Sequence, residues 1–508
     1  MSQTEEHGQY RTIRVALDVH TDDLVAHWQF GSRSGPFAHI PMNVVRNWIR
    51  DACLWEEKTR SSGSLRSLTA EVREQATPID RDVKAAGSAP APAVYEDIRT
   101  YLDRTGKDIY STLCTVDVQS FWNDVFQDWR NGCIRVLLEL DRRAAERIDS
   151  IPFEALCSVD TADLVNVQDH FAAARGVSIV RKIGGVPGAR RDSPPVDLPL
   201  RVLVFASNPE DLPDQEKLNI ADEIKAIRDA IADSAELIQL QIVEPSKEPA
   251  PTFGTLCELG PKSHVLHFIG HGNADVGAPN HHFPHVGKAR KGRLLLQDQA
   301  GRADWRDISE VTGALLNTDT QLIVLNGCHT AAVSVLACQF PAVIGMQFRI
   351  SDPVATCFAR GLYKQLADTG QLDDALHCAR DEIRRQSPSD CRWEYRTPVL
   401  YMQSEDGILL RIKPTIRTKD LPEGRRNDRY LAQLKATGGR KPFLWRAQGL
   451  PEGLTIDTRR GIIDGVPRED GIFSVTVNVR NLDELESSKQ FTLFIGGSTI
   501  RISTEQIG

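Results

Sequence analysis

Apolar runs bounded by polar turns recur along this chain, and their period changes from region to region. Arg11–Phe30 (RTIRVALDVHTDDLVAHWQF) alternates on both sides of a polar turn, which predicts a β-hairpin. PMNVVRNWIRDACLWEE, from Pro41, has a helical period. Between Glu57 and Ala93 the pattern dissolves into SSGS and AAGSAPAPA, a composition that predicts a flexible excursion. Arg60 and Arg66 in that stretch read as a solvated loop in preference to a processing site. Helical patterns return in YEDIRTYLDRTGKDIYSTL and VQSFWNDVFQDW, followed by the apolar strand CIRVLLELD, the segment IPFEAL (Ile151–Leu156) and a Pro/Gly/Arg-rich loop over Gly184–Leu198.

A regular rhythm then begins. RVLVFASN (Arg201–Asn208) is a continuous apolar run, and Ile220, Ile224, Ile227 and Ile231 after it fall on one helix face. The strand ELIQLQIVE, a short helix at Thr252–Leu259 and the buried strand SHVLHFIGHG (Ser263–Gly272) follow. Next come a hairpin around RLLLQDQAG, the helix DWRDISEVTGALL, the strands QLIVLNGC (Gln321–Cys328) and PAVIGMQ, helices at Pro353–Ala367 and Leu372–Arg385, and a terminal pair, TPVLYMQ and GILLRIK. Apolar strands alternating with helices predict a mostly parallel α/β sheet covered on both faces. Right-handed crossovers would point successive strands the same way, so that functional groups gather outside their carboxyl ends. After Lys413 the pattern changes. TIRTKDLPEGRRN predicts a linker over residues 414–429. Short alternating strands between Gly, Pro and Asp turns then predict a β-sandwich over 430–498. Trp445 fits its core better than a docking surface. The expected organisation is an N-terminal hairpin, helix and linker over 1–93 packed on an α/β domain over 94–413, then the linker and the sandwich.

Composition narrows the function classes. The 508 residues are 41% hydrophobic and 26% charged, as in a globular protein, and the formal net charge of −8 argues against a broad phosphate-binding surface. There is no apolar run of about 18 residues to span a membrane. The polar, acidic start MSQTEEHGQY lacks the apolar core of a signal peptide. The ten cysteines are scattered singly without a CxxC, which reads as free thiols in a reducing, cytoplasmic compartment. No GxxxxGK[ST] or GxGxxG follows a strand, so a nucleotide site has little support.

Two of the predicted strands end in reactive residues, His271 and Cys328. In one parallel sheet these would lie at the same edge. A free thiol has a pKa of about 8.5, so attack on a carbonyl needs a neighbouring imidazole to take the proton. Gly272 leaves its N–H free to approach a substrate carbonyl, and with the Cys328 N–H it could form an oxyanion hole. The spacing His264, His267, His271 does not make a metal site, because His264 and His267 point to opposite faces of a strand. His281, His282 and His285 lie in a loop without a companion set of ligands. No metal or organic cofactor is expected.

HVLHFIGHG, RLLLQDQAGRADWRDISEV, LIVLNGCHTA, FPAVIGMQFRISDPVATCFARGLYKQLADTGQLDDALHCARDEI and TPVLYMQ, in this order, resemble a CHAT domain. This is the caspase-like cysteine protease family found with tetratricopeptide repeats and in bacterial conflict systems. GKDIYSTL, RVLLELD and IPFEAL resemble its upstream segments, so the resemblance covers roughly Val94–Lys413, and more weakly Arg11 onward. It implies a caspase-like endopeptidase with His271 as general base and Cys328 as nucleophile. Here the cysteine stands in Asn-Gly-Cys-His-Thr where the family usually has Ser-Ala-Cys-Glu-Thr. The family pattern also implies that Asn326 lines the substrate pocket, and a neutral amide there predicts an uncharged residue at the cut; His329 would be a neighbour of the thiol. GLPEGLTID, RGIIDGVP, DGIFSVTVNV and QFTLFI resemble an immunoglobulin-like (He_PIG) module. The family context implies latency until a sensor or partner protein engages the chain, a role in bacterial defence or programmed cell death, and a protein substrate such as a gasdermin-like pore former, with no nucleic acid or membrane engaged directly. The alternative is a catalytically silent caspase-fold scaffold.

Overall fold

The computed structural model describes residues 10–20, 23–48, 98–121, 133–141, 151–156, 177–185, 194–275, 291–328, 330 and 339–497. The flexible excursion, Arg60 and Arg66, and His281, His282, His285 and His329 lie outside the described residues. The chain divides into two compact units, one formed by Tyr10–Gln365 with Leu372–Gly407, the other containing Leu366–Gln371 and Ile408–Gly508.

The larger unit is built on an eleven-stranded sheet. Its strands are β1 (Tyr10–Val19), β2 (Asp23–Phe30), β3 (Arg33–Pro41), β4 (Cys133–Leu140), β5 (Val177–Ile183), β6 (Leu200–Ala206), β7 (Ile238–Val243), β8 (Val265–Ile269), β12 (Leu322–Asn326), β13 (Ala342–Met346) and β14 (Pro398–Met402). Three further strands, β9 (Gly272–Asp275), β10 (Lys291–Gln297) and β11 (Ala303–Asp307), form a small antiparallel sheet. Among its helices are α1 (Ile98–Leu113), α2 (Ile220–Ala230), α3 (Phe253–Leu259), α4 (Ile308–Leu315), α5 (Asp352–Thr369) and α6 (Leu372–Gln386).

The order across the large sheet is β3-β2-β1-β4-β5-β14-β13-β12-β8-β6-β7. β7, β6, β8, β12 and β13 are mutually parallel, as the alternation of strands with helices predicted. The expectation of a single direction fails at β14, which pairs antiparallel with β13. β5, β4 and β1 then run parallel to β14. Two parallel blocks of opposite sense therefore share one mostly parallel sheet. A strand buried on both faces has the same composition in either direction, so its pattern could not reveal the reversal.

The N-terminal hairpin, expected to pack on the α/β domain, does so by extending its sheet. β1 pairs with β4 from Tyr10 opposite Cys133 to Leu17 opposite Leu140, and its inward residues Ile13, Val15 and Leu17 are buried. IPFEAL is held from inside: buried Glu154 pairs with buried Arg181 of β5, whose guanidinium lies 5.4 Å from the Phe153 ring centre. GILLRIK, expected as a strand, forms no extended ladder; Ile408 makes an isolated bridge to Gln371.

The smaller unit contains a four-stranded and a three-stranded sheet. In the first, Gly424–Arg425, Glu486–Gly496, Gly471–Arg480 and Leu444–Gln448 lie in that order; in the second, Tyr430–Gln433, Ile462–Gly465 and Leu454–Asp457 do. Period-two alternation sends Val475, Val477 and Val479 inward with Phe491, Leu493 and Ile495. Trp445 joins that core at 3% exposure, as expected of a sandwich tryptophan. The predicted linker over 414–429 is partly strand. Thr415–Ile416 pairs with Ala436–Thr437, and Gly424–Arg425 adds to the edge of the four-stranded sheet. Pairs this short carry too little alternation to be recognised in sequence.

Candidate active site

β8 and β12 are adjacent and parallel, in register from Leu322 opposite Val265 to Asn326 opposite Ile269. Two residues beyond that last pair, the chain reaches His271 on one side and Cys328 on the other. The glycines between are demanded by close approach. A Cβ on Gly327 would overlap the backbone carbonyl oxygen of Gly270, and one on Gly272 would meet the Thr330 methyl and come within 3.0 Å of the Cys328 carbonyl oxygen. Thr330, fully buried, closes the turn. Its Oγ1 lies 2.7 Å from the Leu325 carbonyl and 2.8 Å from that of Gly327, and it accepts the Met346 N–H of β13 at 2.9 Å.

His271 is held at two points. Its carbonyl accepts the Leu295 N–H of β10 at 2.9 Å, and its ring Nε2 lies 2.8 Å from the carbonyl oxygen of Glu216. A carbonyl can only accept, so Nε2 carries the proton and Nδ1 keeps the lone pair. Glu216 belongs to the segment joining β6 to α2. Hydrogen bonding in an antiparallel ladder alternates between neighbours, so with His271 engaged to Leu295 the N–H of Gly272 points away from β10. The Gly272 nitrogen lies near the Cys328 turn, since a Cβ on Gly327 would come within 3.5 Å of it.

The Cys328 thiol is directed at the Ile350 carbonyl oxygen, 3.8 Å away. That carbonyl lies just before α5. Burial pushes the thiol pKa up, opposed by Arg349 and reinforced by the charges of Glu394 and Asp352. Burial pushes the His271 pKa down; the bond to the Glu216 carbonyl, Glu216 and Asp352 oppose this, and Arg349 adds to it. At neutral pH Cys328 therefore rests as a thiol and His271 as an uncharged imidazole. Arg349 and Asp352 act on both groups.

Asn326 does not line an open pocket. At 3% exposure it donates through Nδ2 to Glu223 Oε1 at 2.5 Å, with the Ala355 carbonyl 3.4 Å away. The same Glu223 oxygen lies 3.1 Å from His267 Nε2, and His267 Nδ1 is 3.0 Å from the Tyr363 hydroxyl. Alternation along the strands puts Val324, Asn326, His267 and Ile269 on one face, and Glu223 of α2 and Tyr363 of α5 cover it. The amide therefore gives no basis for a preference at the cut. His267 is a satisfied core residue. Among the described residues no cluster of His, Cys, Asp and Glu could hold a metal ion, and no helix is long and apolar enough to cross a membrane.

Sequence reasoning missed Glu216, Ile350 and Gly270, which act through main-chain carbonyls and so leave no mark in residue type. It also missed Glu394. This residue is fully buried and accepts the Ser351 N–H at 2.8 Å and the Ser351 hydroxyl at 3.0 Å, beside the Ile350 carbonyl that receives the thiol. Asp352 had a signal, since an acidic residue preceding Pro353 marks a helix start.

A caspase-like α/β fold is the class that this mostly parallel sheet defines, with a histidine and a cysteine at neighbouring strand exits. The chain belongs to the CHAT domain family, which it matches over residues 104–447, and it carries a match to the Putative Ig domain over 413–496. No curated protein matches the chain. Among solved structures, the Arg-specific cysteine proteinase gingipain R aligns with 78% of this chain and 95% of its own, at 11% identity and a TM-score of 0.38. A complex of the Porphyromonas gingivalis RgpB pro- and mature domains aligns with 78% and 96%, at 11% identity and a TM-score of 0.37. A putative alpha-galactosidase/melibiase from Bacteroides fragilis is 28% identical over 16% of this chain, with a TM-score of 0.16; the chain spans only 18% of that protein.

Proposed function

We propose that the chain is a cysteine endopeptidase that cuts a protein partner, with Cys328 as nucleophile and His271 as general base. The observation that carries this reading is the parallel register of β8 and β12. That register supports a dyad by bringing the strand exits that carry His271 and Cys328 next to each other, while the Nε2–H tied to Glu216 leaves Nδ1 able to accept a proton. The thiol gives its proton to Nδ1 as sulfur attacks the scissile carbonyl. The oxyanion is received by the N–H groups of Gly272 and Cys328, at roughly 2.7–4 kcal/mol per donor. The imidazolium protonates the leaving amine, and water then hydrolyses the thioester.

Latency is supported by the resting state. The thiol is directed at Ile350 and its pKa is raised, so attack requires the sulfur to leave that carbonyl. An activating sensor or partner protein would supply that shift. The family's company supports a role in bacterial defence or programmed cell death, with a gasdermin-like pore former as a candidate substrate. The test is Cys328→Ala against wild type, each mixed with a candidate substrate and its activator, with cleavage followed by mass spectrometry. Cleavage by wild type and its loss in Cys328→Ala is the expected result. Cleavage that survives the substitution removes Cys328 from the chemistry. Failure of a thiol-directed peptide probe to label activated wild-type Cys328 favours the scaffold alternative.

A further inference from the structure

Two separate segments hold the candidate pair, and one side chain joins them. The segment from Asn208 to Asn219 carries Glu216, whose carbonyl holds His271. Its ends are closed by the Asn208 side-chain amide, which donates to the Leu218 carbonyl at 3.1 Å and accepts the Leu218 N–H at 3.2 Å. Its near half is fixed to the β10–β11 turn: the Glu210 N–H donates to the Gly301 carbonyl at 2.9 Å, and Asp211 accepts the Ala303 N–H at 2.8 Å. The second segment, Arg349–Ser351, presents the Ile350 carbonyl to Cys328. Asp352 follows it directly and opens α5. Its Oδ2 accepts the N–H of Asn219, 3.2 Å away.

We infer that Asp352 is a positioning residue, a strut that fixes the support of His271 relative to the support of Cys328. The contacts close a ring: His271 to the Glu216 carbonyl, Asn219 to Asp352, the Ile350 carbonyl to Cys328, and back to His271 through the β8–β12 register. Movement of either segment is thereby transmitted to the other. An event that pulls α5 away would release the Glu216 carbonyl as well as the thiol. The inference rests on the protease reading for its functional meaning, but the strut itself is a matter of geometry. Its carboxylate also acts electrostatically on both groups. The other charges facing His271 are Glu216 and Arg349, and those facing Cys328 are Arg349 and Glu394.

The test compares wild type, Asp352→Asn and Asp352→Ala in the full-length protein, with two readouts that need no substrate. One is the rate of iodoacetamide alkylation at Cys328 against pH, followed by peptide mass spectrometry. The other is the tautomer of His271 from nitrogen-15 chemical shifts. Asp352→Asn keeps an acceptor oxygen and loses the charge. It should retain the single Nε2–H tautomer while the alkylation midpoint moves about half a unit to one unit toward lower pH. Asp352→Ala loses the acceptor too, and His271 should then sample both tautomers. A single Nε2–H tautomer in Asp352→Ala, with midpoints unchanged in both variants, overturns the strut. An unreactive Cys328 in all three resting proteins agrees with latency, and the tautomer result then decides the strut by itself; the protease reading stands or falls separately, on cleavage by the activated protein.

Discussion

Replacing Glu394 by Gln tests the electrostatics behind the nucleophile. Glu394 is fully buried, and burial raises its pKa to about 7 from an ordinary 4.5, although Ser351 donates to it from both N–H and hydroxyl. The folded state therefore holds this proton more tightly than the unfolded state does. The stability it contributes is fully present below about pH 4.5 and is lost as pH rises through about 7. A difference of about 2.5 units at 1.36 kcal/mol per unit amounts to about 3 kcal/mol. Gln resembles the protonated acid in shape and does not titrate. The unfolding free energy of wild type, relative to Glu394→Gln, should fall by about 3 kcal/mol between pH 4 and pH 8. Urea titrations of both proteins across that range, followed by tryptophan fluorescence, measure the difference, in which other carboxylates largely cancel. The substitution should also lower the pH at which Cys328 is alkylated, because the Glu394 charge raises the thiol pKa. A flat difference, or a wild type that gains relative stability as pH rises, would refute the reasoning. In that case the Ser351 donors stabilise the anion more than burial penalises it.

Two further substitutions probe the packing. Gly327→Ala forces the exits of β8 and β12 apart, since the new methyl meets the Gly270 carbonyl. Such overpacking should cost about 1–3 kcal/mol. A displacement on the order of 1 Å should slow probe labelling of Cys328 about a hundredfold with both reactive side chains intact. Wild-type labelling in that variant would count against the close-approach account. Trp445→Ala empties the sandwich core and should destabilise that unit by about 3–5 kcal/mol, read as a lowered transition in calorimetry. An unchanged transition would mean that the indole contributes little packing there.

Much of this protein was legible from residue pattern. Continuous apolar runs identified the central strands β6, β8, β12 and β13, because only a strand covered on both faces is apolar throughout. Reactive side chains at two of their carboxyl ends marked the candidate site, and those two strands are neighbours in the sheet. Gly270, Gly272 and Gly327 lie in quoted motifs, but the role of the first and last emerged only as steric necessity once the two exits were seen in contact. Asn326 was misread for a related reason. Motif position placed it near the cysteine, whereas the strand's alternation turns it under α2 and α5 onto Glu223.

The sequence by itself determined which segments would be buried, which strands carry His271 and Cys328, and that a β-sandwich follows. These depend on hydrophobicity and period, properties that each segment carries alone. Tertiary structure alone decided the reversal at β14, the tautomer of His271 and the partner of the thiol. Strand direction leaves no trace in composition, and the carbonyls of Glu216 and Ile350 belong to a backbone that every residue shares. Which carbonyl meets which side chain is settled only when distant segments pack together.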